Sequence, residues 1–468
     1  MNRKSTIAFS LSPIIISAIG FIFIPILSWW LGDDDMAKFA MFQTNINFFA
    51  LIVGLGLDQA LSREFHETRN PAKLLKRVLQ LVFLAIPVGI AGLVIIKLYG
   101  SGVASASITT GMVAACALML LNRIFSSFIR MSGNGIAYAI DIVTPKIFQL
   151  SVLALLGSQA IVVITYDVVV GIFVFSAGAA LIYEIWMARR IGMSYELSAA
   201  VRGNKPTPAH FDLLKFSIPL VPGALAFYAI SASAIYVVGA NGNSRDVVTT
   251  SLAISVGSGL AVLQSVFVTL WTPFAYRWHA RSGTPALYAH IATLVTMGCA
   301  VFLLASLFIA PYLPVLFPEK YSGIPRLLVL VIVWNLLYLI SIVGSFGIGI
   351  KRMSFTSMLI SLTGAALSIG TSIIAGKYFG SLGVLLSVLF AFVVTLVLNC
   401  ELSTKGWERV VGAHHYMMVG AMTASGVVFS IGHEWEAIVI LVLSIILYLP
   451  KFRSGVIQAY AIYKKFDK

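Results

Sequence analysis

Three ionisable residues stand inside two apolar stretches of this chain. Arg123 lies in "MLLNRIFSSFIRM" (119–131), and Asp141 and Lys146 lie in "GIAYAIDIVTPKIFQL" (135–150), with Pro145 just ahead of the lysine. With the turn near Ser132 to Asn134 as the hairpin end, all three sit roughly 10–20 Å along their helices. That is too deep for the charges to reach water simply by extending along a helix end. An ion in hydrocarbon persists when it pairs with another or faces a wet cavity. One reading is an Arg123–Asp141 clip that holds the hairpin together. Lys146 then has no local partner, because five residues turn it about 140° around the helix from Asp141. A lysine facing an aqueous lumen suits an anionic substrate, such as a phosphate or an acidic sugar. Pro145 cannot donate to the carbonyl of Asp141, so the helix should bend there.

Other residues with chemical potential are sparser. Asp58, Glu184 and Glu401 fall near span ends, where acids act as caps or reach toward the interface. If an acid couples transport to a proton gradient, a sodium gradient or the membrane potential, Asp58 and Asp141 are the expected carriers. Tyr228, Ser231, Ser233, Gln264, Trp271, Asn335 and Tyr338 supply polar and aromatic groups in the second part of the chain, suited either to sugars or to core packing. No HExxH, CxxC or Gly-rich phosphate loop is present, and only His414 and His415 adjoin. Adjacent residues point to different sides of a helix. The three cysteines lie in apolar runs as small hydrophobes. These residues give no basis for a catalytic centre, a metal site or a cofactor.

The elements that must position these residues are helices in a bilayer. Of 468 residues, 59% are hydrophobic and 11% charged, with a mean hydropathy of +0.95. Apolar runs recur throughout, as in an all-α, multi-pass membrane protein. The net charge of +14 is spread between apolar runs, with no stripe or arm for nucleic acid. About 14 spans are expected, near 6–31, 37–62, 77–99, 106–130, 137–158, 166–189, 213–239, 247–276, 286–311, 325–350, 355–376, 381–402, 415–432 and 436–450. The first span begins as a signal peptide does but is too long for one, so it is expected to be retained. Most Lys and Arg then fall on one side, which places both termini in the cytoplasm. Residues 1–190 hold six helices, 191–212 a basic linker, 213–402 six more, 403–450 two additional helices, and 451–468 a basic tail. The tail is expected to lie on the anionic inner leaflet among membrane lipids, or else to be disordered.

Four segments, taken in order, resemble the O-antigen and polysaccharide flippases, the polysaccharide-transport branch of the multidrug/oligosaccharidyl-lipid/polysaccharide exporter superfamily. They are "FAMFQTNINFFALIVGLGLDQALSREF", "LLKFSIPLVPGAL", "FVTLWTPFAYR" and "LPVLFPEKYSGIPRLLVLVIVWNLL". The resemblance implies two six-helix lobes around a central cavity, followed by two extra helices. It implies a substrate as well: an undecaprenyl-diphosphate-linked oligosaccharide, flipped from the inner to the outer leaflet of the bacterial inner membrane by alternating access. Cations lining the amino-terminal lobe of relatives match Arg123 and Lys146, while Arg63 and Arg277 fall at the inner mouths and would meet the diphosphate. An Asp-Arg pair common in span seven of relatives is replaced here by "ISASAIYVVG". Polysaccharide polymerase and chain-length proteins are expected partners by resemblance alone. A drug or cation antiporter of the same superfamily, and a membrane-bound glycan polymerase or acyltransferase, are the alternative functions.

Overall fold

The computed structural model describes residues 3–65, 68–99, 105–158, 163–197, 206–240, 244–280, 286–351 and 353–466. Among these residues the regular structure is helical, with no β-strand. The helices are α1 (Arg3–Trp30), α2 (Asp33–Val53), α3 (Leu57–Glu64), α4 (Pro71–Tyr99), α5 (Thr110–Met131), α6 (Gly135–Ser158), α7 (Tyr166–Leu197), α8 (His210–Ser217) and α9 (Val221–Ala240). They continue as α10 (Ser244–Gly257), α11 (Ala261–Ala280), α12 (Ala286–Ile309), α13 (Ile324–Gly344), α14 (Phe346–Ile350), α15 (Ser354–Gly406), α16 (Ala413–Ser430) and α17 (Glu434–Phe466).

Eleven helical stretches among the described residues are long and apolar enough to cross a membrane. One of them, α15, holds two of the expected spans, because Gly380 (φ 57°, ψ −142°) breaks the helix between them. With α1 and α16, every one of the fourteen expected spans has its helix. The protein is an all-α polytopic membrane protein.

Three expectations about boundaries change. The second span is not one helix over 37–62: Gly54 to Gly56 break it into α2 and α3, with Leu55 at φ 48° and Gly56 at φ 66°. The linker expected over 191–212 is shorter, since α7 runs on to Leu197 and α8 opens at His210, while residues 198–205 lie outside the described set. The tail is neither separate nor irregular as far as Phe466, because α17 carries through Pro450 in 33 residues. At 1.5 Å per residue that helix is about 50 Å long, against a hydrocarbon core of about 30 Å.

The described residues divide into two compact units, Met1–Leu225 with Gly242–Val248, and Ala226–Asn241 with Thr249–Lys468. In the first unit, α5 packs against α7, α2 and α3, and α6 packs against α1 and α7. Phe23, Phe39, Phe42, Tyr166 and Phe173 from α1, α2 and α7 form a ring cluster, with neighbouring centroids 5.5–6.3 Å apart. Edge-to-face pairs of this kind add about 0.5–1.5 kcal/mol each beyond burial, and they fix the face of α7 that α6 meets. In the second unit α13 is buried on every side, as a helix apolar all round must be. It packs against α12, α15 and α16, with Trp334 stacked 5.9 Å from Phe392.

Candidate functional site

The break after α2 decides where the first charge goes. Gly56 occupies the left-handed region that side chains avoid, and a Cβ there would lie 2.9 Å from the Ser217 carbonyl oxygen. The chain restarts as α3 with Asp58 in its first turn, facing α5. Both Nε and Nη2 of Arg123 donate to Asp58 Oδ2, at 3.1 and 3.0 Å. The two side chains are 36% and 15% exposed. The expected Arg123–Asp141 clip is therefore replaced by an Arg123–Asp58 pair. Asp58 is the counter-ion of Arg123.

Lys146 reaches from α6 toward α7. Its Nζ donates to Gln149 Oε1 at 3.2 Å and stands 4.9 Å from the Phe173 ring centroid. Gln149 Nε2 donates to Ser176 Oγ at 2.7 Å, and Ser176 in turn donates to the Phe173 carbonyl. So Lys146 has local partners, contrary to the expectation from sequence, but they are neutral. Among the described residues no acid pairs with it. A polarised amide and an aromatic face steady an ammonium without cancelling its charge. The half-buried lysine is thus left without an opposite charge among the described residues.

Asp141 has a different neighbour from the one expected. Its carboxyl neighbours that of Glu184 on α7. The two residues are 4% and 2% exposed. Ser126 of α5 lies nearby, yet no donor completes a hydrogen bond to either oxygen of Asp141 or to Oε2 of Glu184. Glu184 is thus a buried group and not the interfacial acid expected. A cavity of about 200 Å³ lies alongside, lined in part by Asp141, Thr144, Pro145, Phe148, Ser176 and Tyr183.

Arg63 is exposed at the end of α3, its Cζ 4.2 Å over the Phe216 ring and its Nε 3.7 Å from Glu64. The Arg277 side chain lies outside the described residues. In the second unit, Gln264 Nε2 donates to both the carbonyl and Oδ1 of Asn335. Ser233 bonds Ser368, and Tyr338 packs 5.0 Å from Phe227 beside a cavity of about 30 Å³. Glu401, one of the span-end acids, accepts from Arg409 at 2.7 Å and Tyr416 at 2.8 Å, as a helix-end tie.

Sequence reasoning missed Glu184 as the partner of Asp141, and Gln149 and Ser176 as the support of Lys146. Glu184 did carry a signal, a lone acid in the apolar run "ALIYEIWMA". Gln149 and Ser176 carried none, since a single amide or hydroxyl in a span packs as readily as it binds.

A family model for "Polysaccharide biosynthesis protein" matches residues 3–279. No curated protein matches the chain. The fold is similar to that of several solved structures. "Lipid II flippase MurJ, inward closed conformation" is 15% identical, with 96% of this chain and 100% of that one covered, at a TM-score of 0.62. An outward-facing multidrug resistance MATE family transporter of the MOP superfamily is 16% identical over 90% and 96% of the chains, at 0.51. A MATE protein in complex with MaD5 is 14% identical over 90% and 97%, at 0.52. At these identities the likeness is one of fold.

Proposed function

The chain belongs to the polysaccharide biosynthesis protein family, and from that premise we propose that it is a flippase for lipid-linked oligosaccharide. The cargo is an undecaprenyl-diphosphate-linked repeat unit of O-antigen or a related surface polysaccharide. It moves from the inner to the outer leaflet of the bacterial inner membrane by alternating access, with both termini cytoplasmic. One observation carries the reading: Lys146 sits within a span with neutral partners and no acid paired to it among the described residues. A charge that costs about 2.5–3.5 kcal/mol at mid-helix is retained where an anion can use it. A diphosphate losing its water needs such a group. Arg63, exposed at the end of α3, would meet the diphosphate first. Arg123 contributes less net charge than its type suggests, because Asp58 accompanies it.

Flipping of a fluorescent undecaprenyl-diphosphate oligosaccharide in proteoliposomes tests this. Lys146→Ala should lower the rate at least tenfold at matched protein density, and Lys146→Arg should retain part of it. An unchanged rate in Lys146→Ala would remove the lysine from the mechanism.

The buried acids Asp141 and Glu184 favour a second reading, a cation antiporter on the same fold, because acids attract cationic drugs. Export of a cationic dye by protein that leaves lipid-linked sugar in place would establish it. A polymerase or acyltransferase would change the mass of the lipid-linked sugar, and a flippase leaves it unchanged.

A further inference from the structure

We propose that Asp141 and Glu184 form a proton-binding pair whose loading sets the charge felt by Lys146. The proposal rests on the flippase reading for its consequence but not for its chemistry. Two carboxyl groups buried side by side repel one another when both are ionised, and such a pair holds at least one proton. The oxygens here fit that state. Both Asp141 oxygens and Glu184 Oε2 are buried acceptors with no donor. Buried acceptors are nearly always satisfied, and an acid proton on one carboxyl is a donor that the other can accept.

Among the described residues, the cations of α5 have partners of their own. Arg123 on α5 is held by Asp58, and Arg130, nearer the end of α5, interacts with Tyr138. Tyr138 of α6, Tyr183 of α7 and Ser126 of α5 lie beside Asp141. The described side chains of α1, the other helix packed on α6, include no titratable group. A metal ion calls for more oxygens than two carboxyls and one hydroxyl supply. Among the described residues no cluster of three or more metal-ligating side chains occurs.

Loading is a simple transfer. A hydronium gives its proton to a carboxylate oxygen, an O–H bond forming there as one breaks in the hydronium, and release to water reverses it. Asp141 and Lys146 are five residues apart, about 7.5 Å along α6. With the pair loaded, Lys146 has no nearby negative charge and holds an anion more tightly. With the pair down to a single proton, its one carboxylate competes with that anion and favours its release. By linkage, bound anion raises the proton affinity of the pair by the same factor. Pro145 leaves the Asp141 carbonyl without its helical donor, and the adjacent cavity gives α6 room to adjust as the charge changes.

Purified full-length protein in lipid nanodiscs, followed by pH-difference infrared spectroscopy, tests the pair directly. The wild type should show a protonated-carboxyl C=O stretch that titrates, and Asp141→Asn and Glu184→Gln should each lose it with amide bands unchanged. In proteoliposomes, an imposed pH gradient should stimulate flipping by the wild type, and each variant should lose that stimulation. A titrating band that persists in both variants overturns the proposal, as does flipping that follows sodium at fixed pH. If the variants unfold, the wild type alone decides, because absence of any titrating carboxyl band overturns it too. A titrating band lost in both variants, from a protein that moves no lipid-linked sugar, sinks the flippase reading and leaves the pair standing.

Discussion

Arg123 and Asp58 are 65 positions apart, and Arg123 alone would be a costly charge in a span. Brought together, two guanidinium donors meet one carboxylate oxygen, and the partial exposure of Arg123 moderates the gain. Removing one partner strands the other, which costs more than removing both. Arg123→Ala and Asp58→Ala should each lower thermal stability, while the double substitution loses less than the two losses combined. A double-mutant cycle in detergent should give a coupling of about 0.5–3 kcal/mol, and strictly additive losses would show the contact to be idle. The charges themselves were plain in the sequence, because ions in apolar runs are rare. Their partners were not. Asp58 and Arg123 lie on helices far apart in the chain, and no periodicity relates them. Asp141 had a plausible partner in Arg123 across the hairpin, whereas the fold supplied Glu184 from the next helix.

At the scale of elements, glycine decides how α3 is set. Gly56 combines φ 66° with a close approach to the Ser217 carbonyl, so a methyl group there meets both backbone strain and backbone atoms. Gly56→Ala should destabilise the protein by about 1–2 kcal/mol, read as a lower unfolding temperature. It should also weaken the Asp58–Arg123 coupling, because α3 loses its register on α5. Unaltered coupling would show that the turn is not what aims Asp58. Span existence followed from hydropathy at nearly every position, since twenty apolar residues have few other fates. The interruptions at Gly54 to Gly56 and Gly380 were harder to read. A glycine inside a helix is common, and only the neighbouring backbone shows which one turns.

For the molecule as a whole, side and depth are experimental matters. Cys116, Cys299 and Cys400 are buried, so a membrane-impermeant maleimide should label the parent protein little. A cysteine at Asp34 should react from outside intact cells, and one at Arg453 only after the membrane is opened. The reverse pattern would invert the topology drawn from the Lys and Arg distribution. That distribution and the order of the spans could be read along the sequence. What each unit buries could not, because packing joins helices such as α1 and α6 that the chain visits far apart.

The Asp58–Arg123 pair has a consequence for biogenesis. The ribosome finishes α3 long before α5, so Asp58 leaves the exit tunnel with no counter-ion. Until α5 follows, the eight residues of α3 are more stable at the headgroup boundary than in hydrocarbon. In a nascent chain halted before Arg123, Asp58 should therefore stay open to water-borne reagents.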